Sequence, residues 1–102
     1  MQVPAHLRGY ACDDYFASEW AERGFWDDPS QLTLIVPAAE VEERPELQLL
    51  VVGRPGVDGI LFGYRVGHPG LWAYHPIDRE FVLMAPSVAE LVEGWLSGKL
   101  AV

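Results

Sequence analysis

Apolar positions along this 102-residue chain change their period twice, and the changes mark its elements. Between Asp13 and Arg23, Phe16 and Trp20 stand four apart with Ala17 and Ala21 beside them, which is the spacing of one helical face. Asp13 or Asp14 can cap that helix, Glu19 and Arg23 form a favourable i, i+4 pair, and Gly24 stops it. The stretch Gly24 to Ser30 (GFWDDPS) breaks the pattern with turn-forming residues. Leu32 to Val36 (LTLIV) is a β-branched run ended by Pro37 and reads as a strand. Ala38 to Arg44 has helical propensity for one or two turns, closed by Pro45. Leu47 to Gly53 is apolar on both sides apart from Gln48, as a central strand should be.

From Ile60 the period is two. The runs ILFGYRV and LWAYH flank Gly67-His68-Pro69-Gly70, a hairpin signal that sets Val66 opposite Leu71, Arg65 opposite Trp72, Tyr64 opposite Ala73 and Gly63 opposite Tyr74. One face then carries Ile60, Phe62, Tyr64, Val66, Leu71 and Ala73; the other carries Arg65, Trp72 and Tyr74. If the next turn has no bulge, Phe81 and Leu83 join the first face, Val82 and Met84 the second. After Pro86, Ser87-x-x-Glu90 is a capping box, and Val88, Leu91, Val92, Trp95 and Leu96 form an apolar stripe that Gly98 ends. The expected fold is a single α+β domain spanning 1–102. It has an antiparallel sheet of four to five strands, an N-terminal helix, and a C-terminal amphipathic helix packed on the sheet. Residues 1–12 show no periodicity and read as an arm.

Gly53-x-x-Gly56-x-x-Gly59 raises the question of a phosphate loop. Such a loop needs a helix after it, whose first N–H groups face the anion. The residues after Gly59 have strand period instead, and no Lys comes next. The glycines read as joints between strands.

Charge changes the picture. Ten acids against Arg23 and Arg44 give −8 between Asp13 and Glu46, and the rest of the chain sums to zero. That field opposes nucleic acid and favours a basic protein partner, although acids also serve simply as a solvated surface. Cys12 is alone, so no disulfide closes within the chain; with no leader and no spanning run, a reducing, cytoplasmic setting without membrane contact is expected. Acidic neighbours Asp13 and Asp14 should raise the Cys12 thiol pKa. His68 and His75 match no metal-ligand spacing, the serines sit in no nucleophile elbow, and no catalytic residue, metal or cofactor is assigned. On the second sheet face, Arg65 over Trp72 makes a cation–π pair beside Tyr74. Either the N-terminal helix covers that face through Phe16 and Trp20, or it meets a partner or a second copy.

The run from Leu49 to Pro76, followed by MAPSVAELVEGWLSG, resembles the SUKH superfamily (Smi/Knr-like domains). The matching pieces are Gly56 to Gly59, Ile60 to Tyr64, Leu71 to Tyr74, and Ala85-Pro86-Ser87 with Glu90, Leu91 and Trp95. The likeness covers Leu32 to Ser97; the N-terminal region is shorter than the family's. The resemblance implies a non-enzymatic binding domain, many bacterial relatives being immunity proteins that bind a cognate toxin, often a nuclease. On this reading Asp58, Arg65, Trp72 and Tyr74, with Glu19, Glu22, Asp27 and Asp28, meet the partner. The alternative is a small ligand- or metal-binding domain or enzyme with a cleft near Asp58, His68 and His75. If the C-terminal stripe packs on the sheet, Trp95→Ala should cost about 3–5 kcal/mol in denaturant unfolding; an unchanged midpoint would refute that packing.

Overall fold

The computed structural model describes residues 1–29, 31–56 and 58–102. Ser30, read as part of a turn, and Val57, inside the glycine spacing, lie outside the described residues. Seven antiparallel strands make one sheet: β1 (Phe25–Asp27), β2 (Leu32–Ile35), β3 (Glu42–Arg44), β4 (Leu49–Gly53), β5 (Leu61–Arg65), β6 (His68–His75) and β7 (Glu80–Ala85). The order is β1-β2-β4-β5-β6-β7. β2 meets β4 only at Ile35 and Gly53, and β3 occupies the same edge of β4 from Leu49 to Val51. The expected four to five strands fall short by β1 and β3. Each has three residues, too few to show a period, and each is extended because a longer neighbour pairs with it. Of the helical turns expected over Ala38 to Arg44, only the 3₁₀ turn Ala38–Glu40 forms.

The meander β4 to β7 has the expected connections but a different register. A two-residue turn at Val66 and Gly67 pairs Arg65 with His68, and a register shift comes after it. Trp72 therefore lies opposite Gly63 and Tyr74 opposite Leu61, two residues from the expected alignment. A slip of two preserves the faces. Phe62, Tyr64, Leu71 and Ala73 are buried together with Ile60, while Val66 is left in the exposed turn. The next turn does reverse an expectation. Four residues, 76–79, separate His75 from Glu80, so even positions of β6 pair with odd positions of β7. Phe81 and Leu83 consequently share a face with Tyr74 and Trp72, and Val82 lies beside Ala73 on the other.

The three α-helices of the described residues pack on one face of this sheet. α1 (Asp13–Ala17), α2 (Trp20–Arg23) and α3 (Val88–Leu96) enclose a core of Leu50, Val52, Phe62, Tyr64, Leu71 and Ala73. Phe16 is buried in that core and Trp20 packs against it, so the N-terminal helices do not cover the Trp72 face. The expected single helix is broken where Ser18 turns extended (ψ 163°) and its hydroxyl donates to the Tyr15 carbonyl. Gly24 ends α2 at φ 71°, as anticipated. Residues 1–12 are not an arm: Ala5–Tyr10 forms a 3₁₀ helix, and Leu7, Tyr10 and Cys12 are core residues. In α3, Ser87 Oγ accepts from the Glu90 amide at 3.2 Å; Val88, Leu91 and Val92 are buried. Trp95 meets Phe62 edge-on at 6.0 Å, whereas Leu96 faces solvent.

Three tyrosines fasten the N-terminal segment to the sheet. Tyr10 donates to Glu43 (2.8 Å), Tyr15 to the Val36 carbonyl (2.5 Å), and Tyr64 reaches back to Asp14 (2.9 Å). Asp14 caps no helix of its own; at the N-cap of α1, Cys12 supplies no side-chain cap. Its Oδ2 instead accepts the Val88 amide at 2.7 Å, the first turn of α3, 74 positions away. Asp14→Ala should therefore destabilise the fold by about 2–3 kcal/mol, and a cycle with Tyr64→Phe should show coupling of about 1 kcal/mol. Additivity of the two substitutions in urea melts would refute the bridge.

Burial first, then Glu43, pushes the Tyr10 hydroxyl from 10.0 up to about 12. Burial first, with Asp13 and Asp14 adding, pushes the Cys12 thiol from 9.0 up to about 11. Tyr15 and Tyr64 are raised further, again chiefly by burial. In each case the folded chain holds a proton that the unfolded chain releases sooner, so the stabilisation is complete below the ordinary value and vanishes as pH climbs through the folded one. Urea midpoints should fall steadily from about pH 9 to pH 12, with Cys12→Ser flattening the first part and Tyr10→Phe the second. A midpoint level across that window would contradict this.

Candidate functional site

The sheet face that no helix covers is built from alternate residues of β4 to β7. Strand pairing aligns them in rows across the sheet: Leu61, Tyr74 and Phe81 in one, and Val51, Gly63, Trp72 and Leu83 in the next. Leu49, Val51, Leu61 and Tyr74 are buried there as a second, smaller cluster, flanked by Leu47 and Phe81. Gly63 leaves its row without a side chain. A Cβ at that position would lie 2.4 Å from the Leu50 carbonyl oxygen of β4, so close strand approach requires glycine. Two residues on, Arg65 lies along the face. Its guanidinium carbon is 4.6 Å from the Trp72 ring centre and 3.9 Å from that of Phe81. The expected Arg65–Trp72 stack is present, and Phe81 completes it.

Trp72 is held in place from the hairpin. Its Nε1 donates to the His68 and Pro69 carbonyls at 3.2 Å each, and the His68 ring meets it edge-on at 5.9 Å. Tyr74 lies 4.8 Å from Phe81, ring to ring, and is buried. Leu83, beside Trp72, remains 53 % exposed. The result is a guanidinium stacked over two aromatic rings and bordered by an open leucine; Arg and Trp are among the residue types enriched in interface anchors. Phe81 and Leu83 were not expected here. The length of the turn before them was the signal, because an even loop between paired ends exchanges the parity of the facing strand.

The acids expected to meet a partner do not gather around this patch. Asp58, at φ 51°, is exposed in the turn before β5. Glu19 and Glu22 are exposed on the helical side, and Glu19 pairs with Arg23 at 2.8 Å. Asp28 is exposed and accepts the Trp26 indole N–H, at the β1 end of the sheet. Asp27 is turned inward, 6 % exposed, where it accepts the Trp95 indole N–H at 3.3 Å. Glu42 bridges Arg44 and Arg54. Arg65, Trp72 and Tyr74 are thus brought together, while Glu19, Glu22, Asp28 and Asp58 lie elsewhere on the surface and Asp27 is buried.

Other chemistry finds less support in the geometry. His68 and His75 are the first and last residues of β6, on the order of 20 Å apart by strand rise, so the two histidines do not line one cleft together. Among the described residues no three His, Cys, Asp or Glu side chains cluster as metal ligands. Cys12 is fully buried with its Sγ 3.6 Å from the Leu7 carbonyl, a neutral thiol at physiological pH. Gly56 and Gly59 sit at φ 79° and 71°, and β5 comes after them where a phosphate loop would need a helix. A surface pocket of about 430 Å³ lies beside Gln2, Val3, Arg8 and Asp13, and none of the expected site residues lines it. No helix among the described residues is long and apolar enough to cross a membrane. No protein-family model, curated protein or solved structure matches the chain.

Proposed function

We propose that this chain is a non-enzymatic protein-binding module for a basic protein. Its role would be that of the immunity members of the SUKH superfamily it resembles, neutralising a nuclease-type toxin by occupying it. The observation that carries the reading is the uncovered sheet face, where Arg65 stacks on Trp72 and Phe81 beside the exposed Leu83. Arg and Trp desolvated in a rigid setting are the residue types that dominate binding energy. The charge of −8, concentrated between Asp13 and Glu46, raises the rate of encounter with a basic surface without itself holding the complex. Glu19, Glu22, Asp28 and Asp58 have steering roles, Arg65 and Trp72 grip, and Tyr74 braces the patch from below through Phe81.

The roles separate kinetically. With the basic protein encoded beside this gene, or one that co-purifies from the native cell, neutralising Glu19, Glu22 and Asp28 together should slow association severalfold and flatten its salt dependence. Trp72→Ala should instead speed dissociation about thirtyfold, equivalent to a hot spot of ~2 kcal/mol. A complex unmoved by both sets of substitutions, or a co-purification that recovers no basic protein, would overturn the proposal.

A further inference from the structure

The free edges of the sheet are built differently. β1, at one end, has three residues and a register shift between Phe25 and Trp26. β3, beside β4, also has three, all charged: Glu42, Glu43 and Arg44. Short strands and charges are the means by which sheets resist adding a foreign strand. β7, at the opposite end, uses neither. It runs six residues (EFVLMA), and after Glu80 none is charged and none is proline. It pairs with β6 along one side, unshifted from Glu80 to Leu83. Alternation therefore turns every second N–H and C=O of β7 outward. Beside that edge the side chains are apolar and open on both faces: Val82 is 40 % and Leu83 53 % exposed.

We infer that β7 pairs antiparallel with β7 of a second copy of this chain, across a two-fold axis near Val82, joining two sheets into one. The edge is self-complementary in this arrangement. Val82 of one copy faces Val82 of the other, Phe81 faces Leu83, and Glu80 lies opposite Met84, so no like charges are opposed. Charge placement also selects a second copy over the basic partner at this edge. Asp78 and Arg79 in the adjoining turn offset each other, and Glu80 is the one charge on the strand itself, a weak attraction for a cation. The acids of β3 lie four strand spacings away, roughly 19 Å, against a screening length of ~8 Å at physiological salt. Along β7 itself a second copy thus sets no acid against an acid, whereas β3 would oppose Glu43 to Glu43. Pairing through one strand falls short of the ~1,200 Å² of a firm interface, so the dimer is weak and concentration-dependent. It also sets two Phe81–Leu83 borders side by side, doubling the open patch without using Arg65.

Sedimentation velocity of the full chain across two to three decades of concentration, with hydrogen exchange read at the β7 amides, tests the inference. The mass should rise from 11.4 kDa toward twice that value, and β7 amides should exchange more slowly as concentration rises. Val82→Lys and Leu83→Lys, on opposite faces, should each weaken self-association by about tenfold or more at an unchanged thermal midpoint, since the first sets two like charges together and the second sets a charge against Phe81. Glu22→Gln, exposed on α2, should leave it within about twofold, which separates pairing at this edge from a general effect of net charge. A chain that stays monomeric throughout, or a dimer indifferent to both lysines, overturns it. Should a lysine variant fail to fold, concentration-independent exchange of the β7 amides in the unaltered chain would overturn it equally.

Discussion

The carboxylate of Asp14 joins three parts of the chain that are far apart in sequence. It belongs to α1, receives the hydroxyl of Tyr64 from the middle of the sheet, and receives the first amide of α3. Helix N-termini leave donors that water or a side chain must satisfy, and an acid is favoured there. Here that acid comes from the opposite end of the chain, so the N-terminal segment adds to the docking of α3. Burial of Tyr64 and the neighbouring carboxylate keep its hydroxyl protonated and donating. Sheet, entry segment and closing helix are coupled through one side chain.

That coupling makes the molecule one-sided. Residues 5–23 and α3 all compete for the same face of the sheet, where Phe62, Tyr64, Leu71 and Ala73 are enclosed. None is left to roof the other. The uncovered face does not become a bare apolar sheet, because its own long side chains lie down on it. Arg65 covers ring surface with its guanidinium, Phe81 covers Tyr74, and Leu49 and Val51 are shielded without a second layer.

The acidic segment has two kinds of member. Asp14, Asp27, Glu42 and Glu43 are tied to Tyr64, Trp95, Arg54 and Tyr10, and so help hold the fold. Glu19, Glu22 and Asp28 remain exposed and contribute chiefly to the field around the molecule. Net charge alone cannot divide these groups, since a structural carboxylate and a steering one look identical in composition.

Much of the architecture was legible along the chain. The period-two runs, the Ser87 cap with the stripe after it, the strand ended by Pro37 and the stop at Gly24 all appear in the structure, because each is a local preference recorded in consecutive residues. The cation–π pair of Arg65 and Trp72 was legible too, since facing in a sheet obeys parity even when register slips by two. Tertiary structure alone decided the rest. Cys12, Leu7 and Tyr10 are core because a sheet face lay open above them, and β1 and β3 are strands because neighbours supplied their hydrogen bonds. Asp14 caps a helix 74 positions away, and Phe81 lies on the open face because a turn had four residues. Local sequence specifies which way a backbone bends, whereas the identity of a buried group's partner depends on which surfaces remain unsatisfied once the chain has closed.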